Sequence, residues 1–65
     1  MKILVNGAWR DTTAAEIASV LEELGYADSV VSTALNGEFV AARARADTRL
    51  EDGDRLEVLA PMQGG

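Results

Sequence analysis

Hydrophobic positions along this chain change their period several times, and each change marks an element boundary. Lys2 to Val5 is a short apolar run with weak alternation, followed by Asn6-Gly7 and then by Ala8 to Asp11. Asn-Gly is the dipeptide best suited to the two positive φ angles of a type I′ turn, so the segment reads as strand, tight turn, returning strand. Thr13 and Glu16 then stand at the spacing of a capping box, in which each side chain satisfies a free backbone N–H at a helix start, and a helix is expected from about Ala14. Its apolar residues Ile17, Val20, Leu21 and Leu24 follow the i, i+3, i+4, i+7 rule and share one face, and Gly25 is placed to end it.

A polar connection at Tyr26 to Ser29 leads into Val30 to Leu35, rich in β-branched residues, and a second Asn-Gly at Asn36-Gly37 precedes Glu38-Phe39-Val40. This is a second hairpin by the same local chemistry. Ala41 to Arg49 has helix-compatible composition but no clean apolar stripe; it reads as a loop that can hold a turn of helix, and its structure is left open. Glu51-Asp52-Gly53-Asp54 is a turn by composition, and Arg55 to Leu59 alternates with period two, so Leu56 and Val58 should face a core. Residues 60–65 carry a proline, two glycines and no periodicity, which divides the chain into a folded body, 1–59, and a tail, 60–65. Strand, strand, helix, strand, strand, strand in so short a chain implies an α+β domain. Four or five strands would form a mixed sheet, the helix across one face and the last strand parallel to the first, which is the β-grasp arrangement.

Composition narrows the chemistry. A chain of 65 residues buries only roughly 60% of its unfolded surface and supports one small core. There is no cysteine and no histidine, which excludes disulfides, thiol nucleophiles, His-based metal sites and the commonest general base. Net charge −5 argues against a nucleic-acid surface and for a partner with a basic docking face. No apolar run approaches the roughly 20 residues of a membrane helix. The expectation is a soluble, cytoplasmic protein that uses no membrane. Glu51, Asp52 and Asp54 form an acidic turn, more simply read as solvated charge than as a metal site.

The strand and helix order, Asp52-Gly53-Asp54 opening the last strand and Gly64-Gly65 at the end together resemble the ubiquitin-like sulfur carriers of the ThiS and MoaD type, over the whole chain. The short length and the run Ala60-Pro61-Met62-Gln63-Gly64-Gly65 are more similar to the thiamine-pathway members than to the small subunit of molybdopterin synthase. One segment departs from the pattern: family members often carry Val-Pro-Arg after the second hairpin, where this chain reads Val40-Ala41-Ala42-Arg43.

The resemblance implies that the chain is no enzyme but a substrate of others, with no permanently bound cofactor and no metal. A ThiF- or MoeB-like adenylating enzyme would use ATP and magnesium to join the Gly65 carboxylate to AMP. Sulfur from a cysteine desulfurase-derived donor would then give a thiocarboxylate, with thiazole synthase as acceptor. The residues suit that chemistry: an α-carboxylate, with an ordinary pKa of about 3.3–3.7, is already an anion at neutral pH and needs no base from this chain. Gly64 lacks a Cβ that would collide with the walls of another protein's cleft, and Gln63, Met62 and Pro61 would enter with it. Alternation places Leu4 and Leu59 on neighbouring strands, away from the helix, with Phe39 as a third candidate for partner docking. Competing readings are delivery of sulfur to molybdopterin, cysteine or a tRNA base, attachment of Gly65 to lysines of other proteins, and an interaction module without terminal chemistry. An enzyme working with carboxylates alone is the weakest of them.

Overall fold

A computed structural model describes residues 1–60. Residues 61–65, which hold the expected tail positions Pro61, Met62, Gln63, Gly64 and Gly65, lie outside the described residues. The elements are β1 (Lys2–Val5), β2 (Ala8–Asp11), α1 (Ile17–Glu23), β3 (Ser32–Leu35), β4 (Glu38–Val40), a 3₁₀ segment (Ala42–Asp47) and β5 (Arg55–Leu59). The strands form one mixed sheet in the order β2-β1-β5-β3-β4, in which only β1 and β5 run parallel. This is the five-stranded β-grasp sheet with one helix.

Both hairpins close as their dipeptides require. Asn6 and Gly7 have φ of 49° and 84°, and Asn36 and Gly37 have 51° and 88°, the paired left-handed angles of type I′ turns. The turns fix the register at Val5 opposite Ala8 and Leu35 opposite Glu38. Every later face assignment descends from those two pairs, because a slip of one residue would exchange the faces.

The helix starts three residues later than the capping box predicts. Glu16 is the N-cap with extended backbone and no side-chain cap, and it forms an antiparallel bridge to Arg49. Ile17 N–H donates to Thr48 O (3.1 Å) and Leu50 N–H to Ala15 O (2.8 Å), so Ala15 and Glu16 serve as a short strand and cannot wind into a first turn. Thr12 turns the chain here, its hydroxyl accepting from Ala14 N–H at 3.0 Å and donating to Glu23. The C-terminus agrees with expectation. Gly25, at φ +89°, donates to Glu22 O, and Tyr26 N–H donates to Leu21 O, the two bonds of a Schellman motif.

The core lies between α1 and one face of the sheet. Ile3, Val5, Leu56 and Val58 from the central strands meet Ile17, Val20 and Leu21 from the helix, with Val31 and Leu50 sealing the ends. Leu24, the last of the stripe, is half-buried against that cluster. The segment left open by the sequence is the 3₁₀ segment, which covers the side of α1. Arg45 anchors it, donating from Nη2 to Val31 O (2.6 Å) and from Nε to Thr33 Oγ1 (2.9 Å), while Thr33 donates to Val40 O (2.7 Å).

Candidate functional site

The sheet face opposite α1 carries no covering element among the described residues. Pairing registers determine which side chains share it: Trp9 on β2 lies opposite Leu4 on β1, which lies opposite Arg55 on β5. Further along, Glu57 on β5 lies opposite Ala34 on β3, which lies opposite Phe39 on β4, and Leu59 lies opposite Ser32. Strand β5 sits in the middle of the sheet, so its outward residues Arg55, Glu57 and Leu59 form a file down the centre of the face, ending at Ala60.

Three large apolar side chains on this face are open to solvent: Trp9 at 59%, Phe39 at 73% and Leu59 at 64% of full exposure. Leu4 is half-buried between its neighbours. Leu4 and Leu59 occupy adjacent strands but not adjacent positions: Leu4 pairs with Arg55, and Leu59 stands four residues, roughly 13 Å, further along. The register brings Leu59 to the end of the face from which the chain continues towards residue 61, sets Phe39 level with Glu57 midway along β5, and leaves Leu4 and Trp9 at the other end. Trp9 does not pack beside its turn: β2 is an edge strand with every residue exposed. The signal for it was available in the first hairpin, since the Asn6-Gly7 turn puts Trp9 opposite Leu4 wherever Leu4 points.

The acidic turn is engaged in structure. Asp52 accepts from Lys2 N–H at 2.7 Å, and Gly53 N–H, at φ +90°, donates back to Lys2 O at 2.8 Å. Asp54 accepts from Glu51 N–H (2.8 Å) and from the Asn36 side chain (3.1 Å). These bonds hold the loop against the start of β1 and the second hairpin, and so aim β5 at its entry. The concave regions of the described surface are shallow clefts, one of them lined by Val5, Asn6, Arg10, Leu24 and Tyr26, with no convergent set of catalytic groups. No helix of the described residues is long and apolar enough to cross a membrane.

Comparison with known proteins agrees with this architecture. The ThiS family model matches residues 3–65. A sulfur carrier protein ThiS from Thermus thermophilus is 38% identical over 63 residues, which cover 97% of this chain and 98% of that protein. A thiazole synthase from Paramagnetospirillum magneticum is 35% identical over 66 residues, and the chain spans only 20% of its length. The crystal structure of thiamine biosynthesis protein ThiS from Geobacter metallireducens superposes with a TM-score of 0.83 at 33% identity, covering both chains in full. With a family match over nearly its whole length and full-length likeness to a solved ThiS protein, this chain belongs to the ThiS family.

Proposed function

We infer that this chain is a sulfur carrier for thiamine biosynthesis whose reactive group is the carboxylate of Gly65. The observation that carries the reading is the family match running through Gly64-Gly65 on a body whose central strand β5 leads directly to that segment. A carboxylate oxygen of Gly65 attacks the α-phosphorus of ATP in the site of an adenylating partner, with magnesium there, and pyrophosphate leaves. The terminal sulfur of a persulfide donor charged by a cysteine desulfurase then displaces AMP at the acyl carbon, and a thiol reductively cleaves the acyl disulfide so formed. The resulting thiocarboxylate hands its sulfur to thiazole synthase, a choice of acceptor supported by the likeness to one fifth of such an enzyme. The chain contributes no catalytic side chain: it is the substrate of each step, and the acids and bases belong to its partners.

The body supplies recognition. Ordering the last residues in a partner's cleft costs roughly 1–2 kcal/mol each, so affinity comes from elsewhere. Leu59 and Phe39, with Trp9 and Leu4 beyond them, are the apolar anchors, each contributing about 1.5–3 kcal/mol if fully covered. Two or three suffice for transient docking, and a net charge of −5 steers the approach to a basic partner. The test is intact-mass analysis of the chain isolated with its adenylating and sulfur-donor partners. A species with one sulfur in place of one oxygen is expected, and a variant ending at Gly64 should lack it. The reading fails if the full chain never acquires that species under turnover with ATP.

A further inference from the structure

Strand β5 runs further than its parallel neighbour. The β1–β5 ladder pairs Leu4 with Arg55 and Val5 with Leu56, and its last main-chain bond is Asn6 N–H to Leu56 O at 3.0 Å. Beyond that point the backbone of Asn6 turns away at φ 49° into the hairpin, leaving Val58 with an N–H and a carbonyl aimed at a strand that has ended. The Asn6 side chain fills that place. Its Oδ1 accepts from Val58 N–H at 2.8 Å and its Nδ2 donates to Val58 O at 3.0 Å, so one carboxamide imitates the missing peptide unit.

The second Asn-Gly turn does related work at the other end of the strand: Asn36 Oδ1 accepts from Arg55 N–H at 2.9 Å, and Asn36 N–H donates to Arg55 O at 2.8 Å. A type I′ turn accepts asparagine or aspartate at its first position. Only asparagine offers both a donor and an acceptor, and the contact at Val58 uses both. The choice of residue at position 6 thus answers to Val58 as well as to the turn.

We propose that Asn6 is a positioning residue for adenylation, its clasp on Val58 fixing where the chain leaves the sheet two residues later, at Ala60. The inference rests on the reading of Gly65 as the reacting terminus. In that reaction the Gly65 oxygen forms a bond to the α-phosphorus of ATP as the bond to the departing pyrophosphate breaks. Five residues, 61–65, separate that oxygen from Ala60. Without the clasp, Val58 and Leu59 are held to the sheet only through β3, and fraying there lengthens the segment past the strand, 60–65, from six residues to eight, by a third. Of the docking residues, Trp9, Leu4 and Phe39 are untouched and only Leu59 is loosened, so the loss falls mainly on the reacting geometry and less on encounter.

Asn6→Gly isolates the effect, because glycine adopts the positive φ of the turn freely and removes only the carboxamide. Two measurements are made on the full chain: amide hydrogen exchange at Val58, and steady-state adenylation with the partner enzyme, read as ATP-dependent pyrophosphate release. Exchange at Val58 should accelerate, kcat should fall roughly tenfold, and KM for the carrier should stay within about twofold. Asn6→Asp, which keeps the acceptor for Val58 N–H and loses the donor, should shift both readouts in the same direction, and it serves alone if the glycine variant does not fold. Unchanged exchange at Val58, or accelerated exchange with unchanged kcat, overturns the proposal. Absence of adenylation in the unmodified chain instead overturns the reading of Gly65, and the exchange data still report on the clasp.

Discussion

Thr12 and Thr13 are adjacent and chemically identical, yet only one of them is placed to matter for folding. Thr12 is buried, accepts from Ala14 N–H and donates to Glu23, whereas Thr13 is exposed and makes a single long contact of 3.4 Å to the same carboxylate. Removing the buried hydroxyl orphans a backbone donor, so Thr12→Ala should cost about 1–2 kcal/mol in urea unfolding, against less than about 0.5 kcal/mol for Thr13→Ala. Equal losses would restore the capping box. Leu59 presents the opposite situation, an apolar side chain largely open to solvent among the described residues. Leu59→Asp should lower stability by no more than about 1 kcal/mol and raise KM for adenylation roughly 10- to 100-fold. Unaltered KM in a folded variant would remove Leu59 from the docking face.

Among the elements, β5 is the one on which the fold and the proposed function both depend. It is central in the sheet, its inward residues Leu56 and Val58 are 0% and 4% exposed, and its outward file leads to the tail. Leu56→Ala should therefore cost about 2–5 kcal/mol in chemical denaturation, a large share of what so small a domain has. A loss below about 1 kcal/mol would mean that the core is not built around this strand. The same element shows what could be read from the sequence. Both hairpins, the helix stripe, its glycine terminus and the inward pair of β5 were legible, because each is decided by residues within one or two turns of one another. The helix start was not: Ala15 O and Ile17 N–H are captured by Leu50 and Thr48, more than thirty positions away, and local spacing carries no trace of that competitor. The Asn6 clasp was hidden for a like reason, since a partner at Val58 becomes visible only once the parallel register is known. Of the docking candidates, alternation gave Leu4, Phe39 and Leu59 their common face, while the separation of Leu4 from Leu59 follows from register.

For the molecule as a whole, the proposed function has a body of one small core, with a net charge of −5 and an open apolar sheet face, carry one carboxylate to other proteins. Nothing in the reading requires a side chain of this chain to take part in bond making, which fits a sequence without histidine or cysteine. The most direct trial replaces that single group. A semisynthetic chain ending in the Gly65 carboxamide differs from the natural one by an oxygen exchanged for an NH₂ and keeps every other atom of body and tail. Given ATP and the adenylating partner, the amide form should bind through the same face and release no pyrophosphate above background, while the acid form turns over. Pyrophosphate release at the same rate from both forms would place the reactive group elsewhere in the chain.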